Sequence, residues 1–183
     1  MADTRPQSDR STMVTGMFKD RESAERAYQA MASRGYSRED VNLLMSDESR
    51  RRHFASDRAK ETELGSKALE GAGAGAAIGG TVGGVLAAIA AAATIAVPGV
   101  GLIVAGPIVA GLAGAGAGGI TGGIIGALIG SGIPEERARL YETGIKEGGI
   151  VMGVKPRSDE DAEYLEREWK SNRGEHVFGR RPV

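Results

Sequence analysis

The chain has 183 residues, with 23 basic against 24 acidic side chains and no cysteine. That length allows one domain, or a small domain with an insertion, and the lack of thiols excludes disulfides, thiolate catalysis and cysteine–zinc sites. Charge is balanced on either side of the middle, 13 of each sign in 1–70 and 10 basic to 11 acidic in 135–183, so no basic arm points to nucleic acid.

Residues 1–11 are polar and read as a disordered N-terminus, and the first thirty residues carry no apolar run that would mark a secretory signal. Met13 to Phe18 is apolar on both faces, which predicts a strand covered on both sides. Asp20 is a good N-cap for a helix whose apolar stripe is Ala24, Ala27, Tyr28 and Met31, and Gly35 suits its end. Val41–Met45 predicts a second strand. Residues 46–66 lack sustained periodicity, and they contain the basic cluster Arg50, Arg51, Arg52 and His53. Such a cluster suits anionic lipid headgroups beside a membrane segment. It equally suits a solvated face, because Asp47, Glu48 and Asp57 flank it.

From Gly71 to Pro134 the composition changes abruptly. Those 64 residues hold 20 glycines and no charged or aromatic side chain. Glycine recurs at four-residue spacing in Gly71, Gly75, Gly79, Gly83 and again in Gly114, Gly118, Gly122, Gly126, Gly130. Glycine in a helix interior costs about 1 kcal/mol relative to alanine, so helices here need an environment that enforces them, a bilayer or burial in protein. At about 100° per residue, Ile78, Val82, Val85 and Ile89 fall opposite the small residues of a first helix. Ile120, Ile124 and Leu128 do the same in a second. These larger side chains would face lipid or a protein core, and the glycines would pack helix on helix and copy on copy. Pro98, Gly99 and Gly101 read as the turn between the helices, with Pro107 able to start the second. Each arm has about the length a bilayer crossing needs. Basic residues flank only the outer ends (Lys60, Lys67, then Arg137, Arg139, Lys146), which would place both termini in the cytoplasm.

Beyond the block, Pro134, Glu135 and Glu136 open a helix with Ala138, Tyr141 and Ile145 on its buried side, stopped by Gly148-Gly149. Ile150–Lys155 predicts a third strand. Ser158 caps a last helix that turns Ala162, Leu165 and Trp169 inward. The spacing Arg26…Tyr28…Gly35 recurs in Arg139…Tyr141…Gly148, which suggests two related helix–strand halves. The predicted fold is α+β: a small three-stranded sheet with flanking helices, partly ferredoxin-like, interrupted by a long Gly/Ala-rich α-helical hairpin. The domain is discontinuous, 12–66 and 134–171, with the glycine-zipper hairpin at 67–133 and a flexible tail at 172–183.

Catalytic and cofactor signals are weak. Gly114 to Gly119 satisfies G-x-G-x-x-G but has no strand before it and no acidic residue after it, so glycine density explains the match. His53 and His176 lack a second ligand at metal spacing. No nucleophile, base and oxyanion site assembles. No catalytic residue, cofactor, metal, small-molecule substrate or nucleic-acid partner is therefore expected.

Several stretches resemble bacterial general stress proteins of the YflT-like, low-temperature-induced type. They are D-R-E-S-A-E-R-A, R-G-Y-S-R-E-D-V and N-L-L-M-S, the glycine-rich middle with V-P-G-V-G, and G-I-P-E-E-R-A-R-L-Y-E-T-G-I-K-E-G-G-I-V. The match covers roughly residues 12–170. The resemblance implies a stress-induced, non-enzymatic bacterial protein. Two roles then stand open. In the first, the glycine zipper inserts and self-associates in the inner membrane. In the second, a cytoplasmic homo-oligomer buries the hairpins in its own core.

Overall fold

The structure, a computed structural model, describes residues 13–54, 95–97, 101–107, 123–130 and 132–179. Strand β1, Val14–Phe18, is buried along its whole length, as a run apolar on both faces requires. Asp20 caps helix α1, Arg21–Ser33, by accepting the Ser23 N–H at 2.8 Å, and Ala24, Ala27, Tyr28 and Met31 are buried. The helix closes at Gly35: the Gly35 N–H donates to the Ala32 carbonyl and the Tyr36 N–H to that of Met31, the paired bonds of a Schellman end. A 3-10 turn at Arg38–Asp40 leads into β2, Val41–Ser46. The Ser46 hydroxyl then accepts the Ser49 N–H at 3.0 Å and caps helix α2, residues 47–54.

The largest departure from the predicted fold lies inside the glycine block. Ile95–Val97 (β3) and Leu102–Ala105 (β4) form an antiparallel pair with Val97 opposite Leu102. β4 in turn pairs with β2, from Leu43 opposite Ala105 to Ser46 opposite Leu102. The turn predicted between two helices is therefore flanked by two paired strands. The reason is local. Ile95, Val97, Ile103 and Val104 are β-branched and flank a Pro-Gly pair, which suits a hairpin better than a helix end. β4 also alternates across the sheet: Ile103 and Ala105 enter one core, and Leu102 and Val104 enter the other. A 2.7 Å hydrogen bond from the Asp47 N–H to the Gly101 carbonyl ties the turn to the start of α2.

The remaining elements are α3 (Gly123–Gly130), α4 (Glu135–Lys146), β5 (Ile150–Val154), α5 (Asp159–Ser171) and β6 (Glu175–Phe178). β6 falls in the tail expected to be flexible. It forms because α5 ends with the Gly174 N–H on the Trp169 carbonyl, which turns the chain back along β1. Strand order is β3-β4-β2-β5-β1-β6, with every pairing antiparallel, so the three-stranded sheet of the sequence reading becomes six-stranded.

Within it, β1-α1-β2 and β5-α5-β6 make a complete split β-α-β arrangement, ferredoxin-like in order, with β5 between β1 and β2 and β1 between β5 and β6. Helices α1 and α5 pack together on one face over Phe18, Leu43, Met45 and Met152. Trp169 is fully buried there, edge-on to Phe18 with ring centroids 5.7 Å apart and its Nε1–H donating to the Ala27 carbonyl at 3.2 Å. The opposite face is covered by α3 and α4 over Met17, Leu44, Val104 and Val151. The spacing shared by Arg26…Gly35 and Arg139…Gly148 does not mark equivalent halves, because α1 and α4 lie on opposite faces. What they share is the way they end: Gly148 and Gly149 repeat on α4 the bonds that Gly35 and Tyr36 make on α1.

Candidate functional site

Besides β3 and β4, the glycine block contributes helix α3, which with α4 forms the second helical layer. The α3 sequence, GIIGALIG, has large aliphatic residues at more positions than one buried stripe can take. Ile124 and Leu128, one turn apart, are 6% and 0% exposed in the core between this layer and the sheet. They were expected to face lipid or a protein core, and here they face the core of their own domain. Ile125 packs at its edge. Ile129 points the other way and is 43% exposed. α3 ends in the same manner as α1: the Gly132 N–H reaches the Ile129 carbonyl and the Ile133 N–H that of Leu128, which seats Ile133 in the core beside Leu128.

Helix α4 presses Ala138, Tyr141 and Ile145 onto the sheet as its spacing predicts. Gly144 lets it approach closely, since a Cβ there would collide with the Met17 side chain. The Tyr141 hydroxyl donates to the His176 carbonyl at 2.9 Å and accepts from the Thr15 hydroxyl at 2.9 Å. Burial holds its ionisation far above the ordinary tyrosine range, against the smaller opposing pull of Thr15 and Arg137. It is therefore a neutral hydrogen-bonding post between α4, β1 and β6. Tyr141→Phe leaves the buried Thr15 hydroxyl and the part-buried His176 carbonyl without that partner and should cost about 1–3 kcal/mol in denaturant unfolding, with no change of fold by circular dichroism. The outward side of α4 carries Leu140, 40% exposed, among Glu135, Glu136, Arg139 and Lys146.

Among the sequence-predicted zipper residues, Gly126 is half-buried and Gly130 exposed within the chain. Gly101 lies in the β-hairpin turn at φ +64°. Gly75, Gly79, Gly83, Gly114, Gly118 and Gly122 lie outside the described residues. So do Ile78, Val82, Val85, Ile89, Ile120, Pro98 and Gly99, and the G-x-G-x-x-G run from Gly114 to Gly118 and Gly119. Two residues that sequence reasoning did not select, Ile129 and Leu140, are the large apolar side chains most exposed among the described residues. For Ile129 a signal existed in the surplus of aliphatic residues around α3.

Among the described residues, no helix is long and apolar enough to cross a membrane. The bilayer hairpin is also hard to reconcile with β3 and β4, because its intended tip is hydrogen-bonded into the domain's own sheet. The basic cluster is engaged on its own helix: Arg50 and Arg51 pair with Asp47 at 3.0 and 2.9 Å, and Arg52 pairs with Glu48 at 2.6 Å. Arg51 and Arg52 thus lie on a solvated helix face that carries its own counter-charges, while the Arg50 side chain is largely buried. His53 is half-buried with its carbonyl accepting from Arg21, and burial, reinforced by Arg52, holds its imidazole below the usual histidine range. A second polar node joins the two helices of the other layer. The Tyr36 hydroxyl donates to Asp161 at 2.9 Å, and the Arg157 and Arg34 guanidiniums stack on Tyr36 and Tyr164, each at 4.2 Å. These contacts clamp α1 to α5. Among the described residues, no group of three or more histidines and carboxylates converges as a metal site would require.

No protein-family model, curated protein or solved structure matches the chain.

Proposed function

We propose that this chain is a non-enzymatic, self-associating interaction protein that works as a cytoplasmic homo-oligomer, with its glycine-rich block held in protein contacts. The observation that carries the reading is the burial of Ile124 and Leu128 in the domain core, at 6% and 0% exposure. A glycine-rich helix is costly in water unless packing enforces it, and here the packing surface is the domain's own sheet. The pairing of β4 with β2 supports the same reading, because it draws the centre of the block into the folded domain. A role in a bacterial stress response is carried over from the motif resemblance and forms part of the proposal.

The test uses the full untagged chain. After lysis without detergent and high-speed centrifugation, the protein should stay in the supernatant. Light scattering should then give a multiple of the 18.9 kDa chain mass. Recovery only from the detergent-extracted pellet would favour the inner-membrane reading. A single-chain mass across the concentration range would remove the self-association.

A further inference from the structure

We propose that His53 is a proton-sensitive latch: the neutral ring lets the end of α2 seat against α1 and the turn after α4, and protonation loosens that seat. Helix α2 follows β2 and precedes the glycine-rich block in the chain, and its Asp47 N–H is bonded to the Gly101 carbonyl inside that block. How firmly α2 is seated therefore bears on how the block is held. The inference stands apart from the self-association reading.

Three elements meet at this point. Phe54 is 4% exposed and belongs to the core beneath α1 and α5. The Arg21 guanidinium lies over its ring, 5.0 Å from the centroid, and donates to the His53 carbonyl at 2.7 Å. On another side, Gly148 in the turn after α4 comes close to α2. A Cβ there would stand 3.2 Å from Arg52 Nη1 and 3.8 Å from Ser49 Oγ. The His53 ring is half-buried among these contacts, edge-on to Phe54 and with the Gly148 backbone beside it.

The charges around the ring set the sign. Arg52 on α2 and Arg21 on α1 are its cationic neighbours, and Asp20 at the start of α1 is the opposing acid. Each carboxylate nearby is already engaged: Glu48 with Arg52, Glu25 with Arg21, and Asp20 with the Ser23 N–H. Lys146 and Glu147, which precede Gly148, are exposed. A proton on His53 thus adds a third positive charge to a half-buried space beside two guanidiniums. Burial and Arg52, with a smaller contribution from Arg21, outweigh Gly148 and Asp20, which favour the charged ring, so the imidazole titrates below its ordinary range. The seat therefore contributes fully above the ordinary histidine value of about 6.5 and is lost as pH falls through the lowered one.

The experiment uses the full chain with two variants, His53→Gln, which stays polar but cannot titrate, and Arg52→Gln. Imidazole proton NMR follows the two histidines of the chain, and the resonance missing from His53→Gln is that of His53. It should titrate below the ordinary value, and Arg52→Gln should move it upward. Hydrogen exchange over α2, corrected for intrinsic rates, reads the latch itself. From about pH 7.5 to about pH 5.5, opening of α2 in wild type should rise about twofold or more relative to His53→Gln. An α2 that exchanges with the same pH profile in both proteins overturns the inference. So does a His53 resonance that titrates at or above the ordinary value. A His53→Gln chain whose α2 is loosened equally at every pH assigns the ring to packing alone, and the latch fails on that result too. If His53→Gln does not fold, the Arg52→Gln titration decides, and a His53 value that does not move upward there overturns the proposal.

Discussion

Gly106→Ala should lose about 3 kcal/mol of stability and shed the β-hairpin from the sheet. Two separate effects act at this residue. Its φ is +100°, a region that side chains other than glycine adopt only under strain. A Cβ would also be driven into the Val41 carbonyl oxygen and come within 2.9 Å of the Asn42 Cα, backbone atoms of β2 that cannot swing away. The chain can relieve the clash only by lifting β4, which breaks the ladder from Leu43 opposite Ala105 to Ser46 opposite Leu102. Gly101→Ala is the control. It lies in the same hairpin at φ +64°, but nothing stands within 4 Å of its Cβ position, so only the backbone strain of about 1–2 kcal/mol remains. Urea unfolding of both variants measures the difference, and hydrogen exchange at Leu43 and Met45 reports whether β4 has left. Equal losses at the two positions would mean that β4 does not depend on close approach to β2.

The contrast between those two glycines explains how far the sequence could be read. Elements with one period and a capping residue were legible: α1 from Asp20 to Gly35, α5 from Ser158 with Ala162, Leu165 and Trp169 inward, and the strands β1, β2 and β5. In the glycine block the helical reading runs on through Ile95–Val97 and up to Leu102–Ala105, which are strands, whereas Gly123–Gly130 is helical as its spacing predicts. Four β-branched residues, Ile103 and Val104 in Leu102–Ala105 and Ile95 and Val97 in its partner strand, carried the strand preference, but glycine and alanine on either side masked it. β6 was hidden for another reason. Glu175–Phe178 is half polar, and its pairing opposite Thr15 and Met17 shifts by one residue across a bulge where His176 takes φ +48°. Period-2 reasoning does not find an edge strand of that kind. As for the candidate surface, sequence placed Ile124 and Leu128 on one side of their helix. It could not say what lay against them, and it left Ile129 and Leu140 unremarked, because exposure depends on where neighbouring helices sit.

Leu128→Ala should cost about 3 kcal/mol, within the range found for emptying a fully buried leucine site, and should do so in buffer with no lipid present. Leu128 is 0% exposed among Ile124, Ile133, Tyr141 and Val151, and it belongs to the helix end that Ile133 closes. Removing its side chain leaves a void in the core that α3, α4 and the sheet share, the same core in which Tyr141 is held by its hydrogen bonds to Thr15 and His176. The loss should therefore be coupled to that of Tyr141→Phe. A double-mutant cycle between the two should show an interaction energy of about 0.5 kcal/mol or more. Ile129→Ala, on the outward side of the same helix, removes a side chain that is 43% exposed and should cost far less than Leu128→Ala, about 1 kcal/mol or less. A bilayer-facing helix predicts a different order, in which Leu128→Ala is nearly neutral in buffer and weakens partition into vesicles instead. Chemical unfolding of the two variants in detergent-free buffer decides between these orders. If Leu128→Ala proves as mild as Ile129→Ala, Leu128 is not in the protein core, and the case for a glycine block held in protein contacts loses its main support.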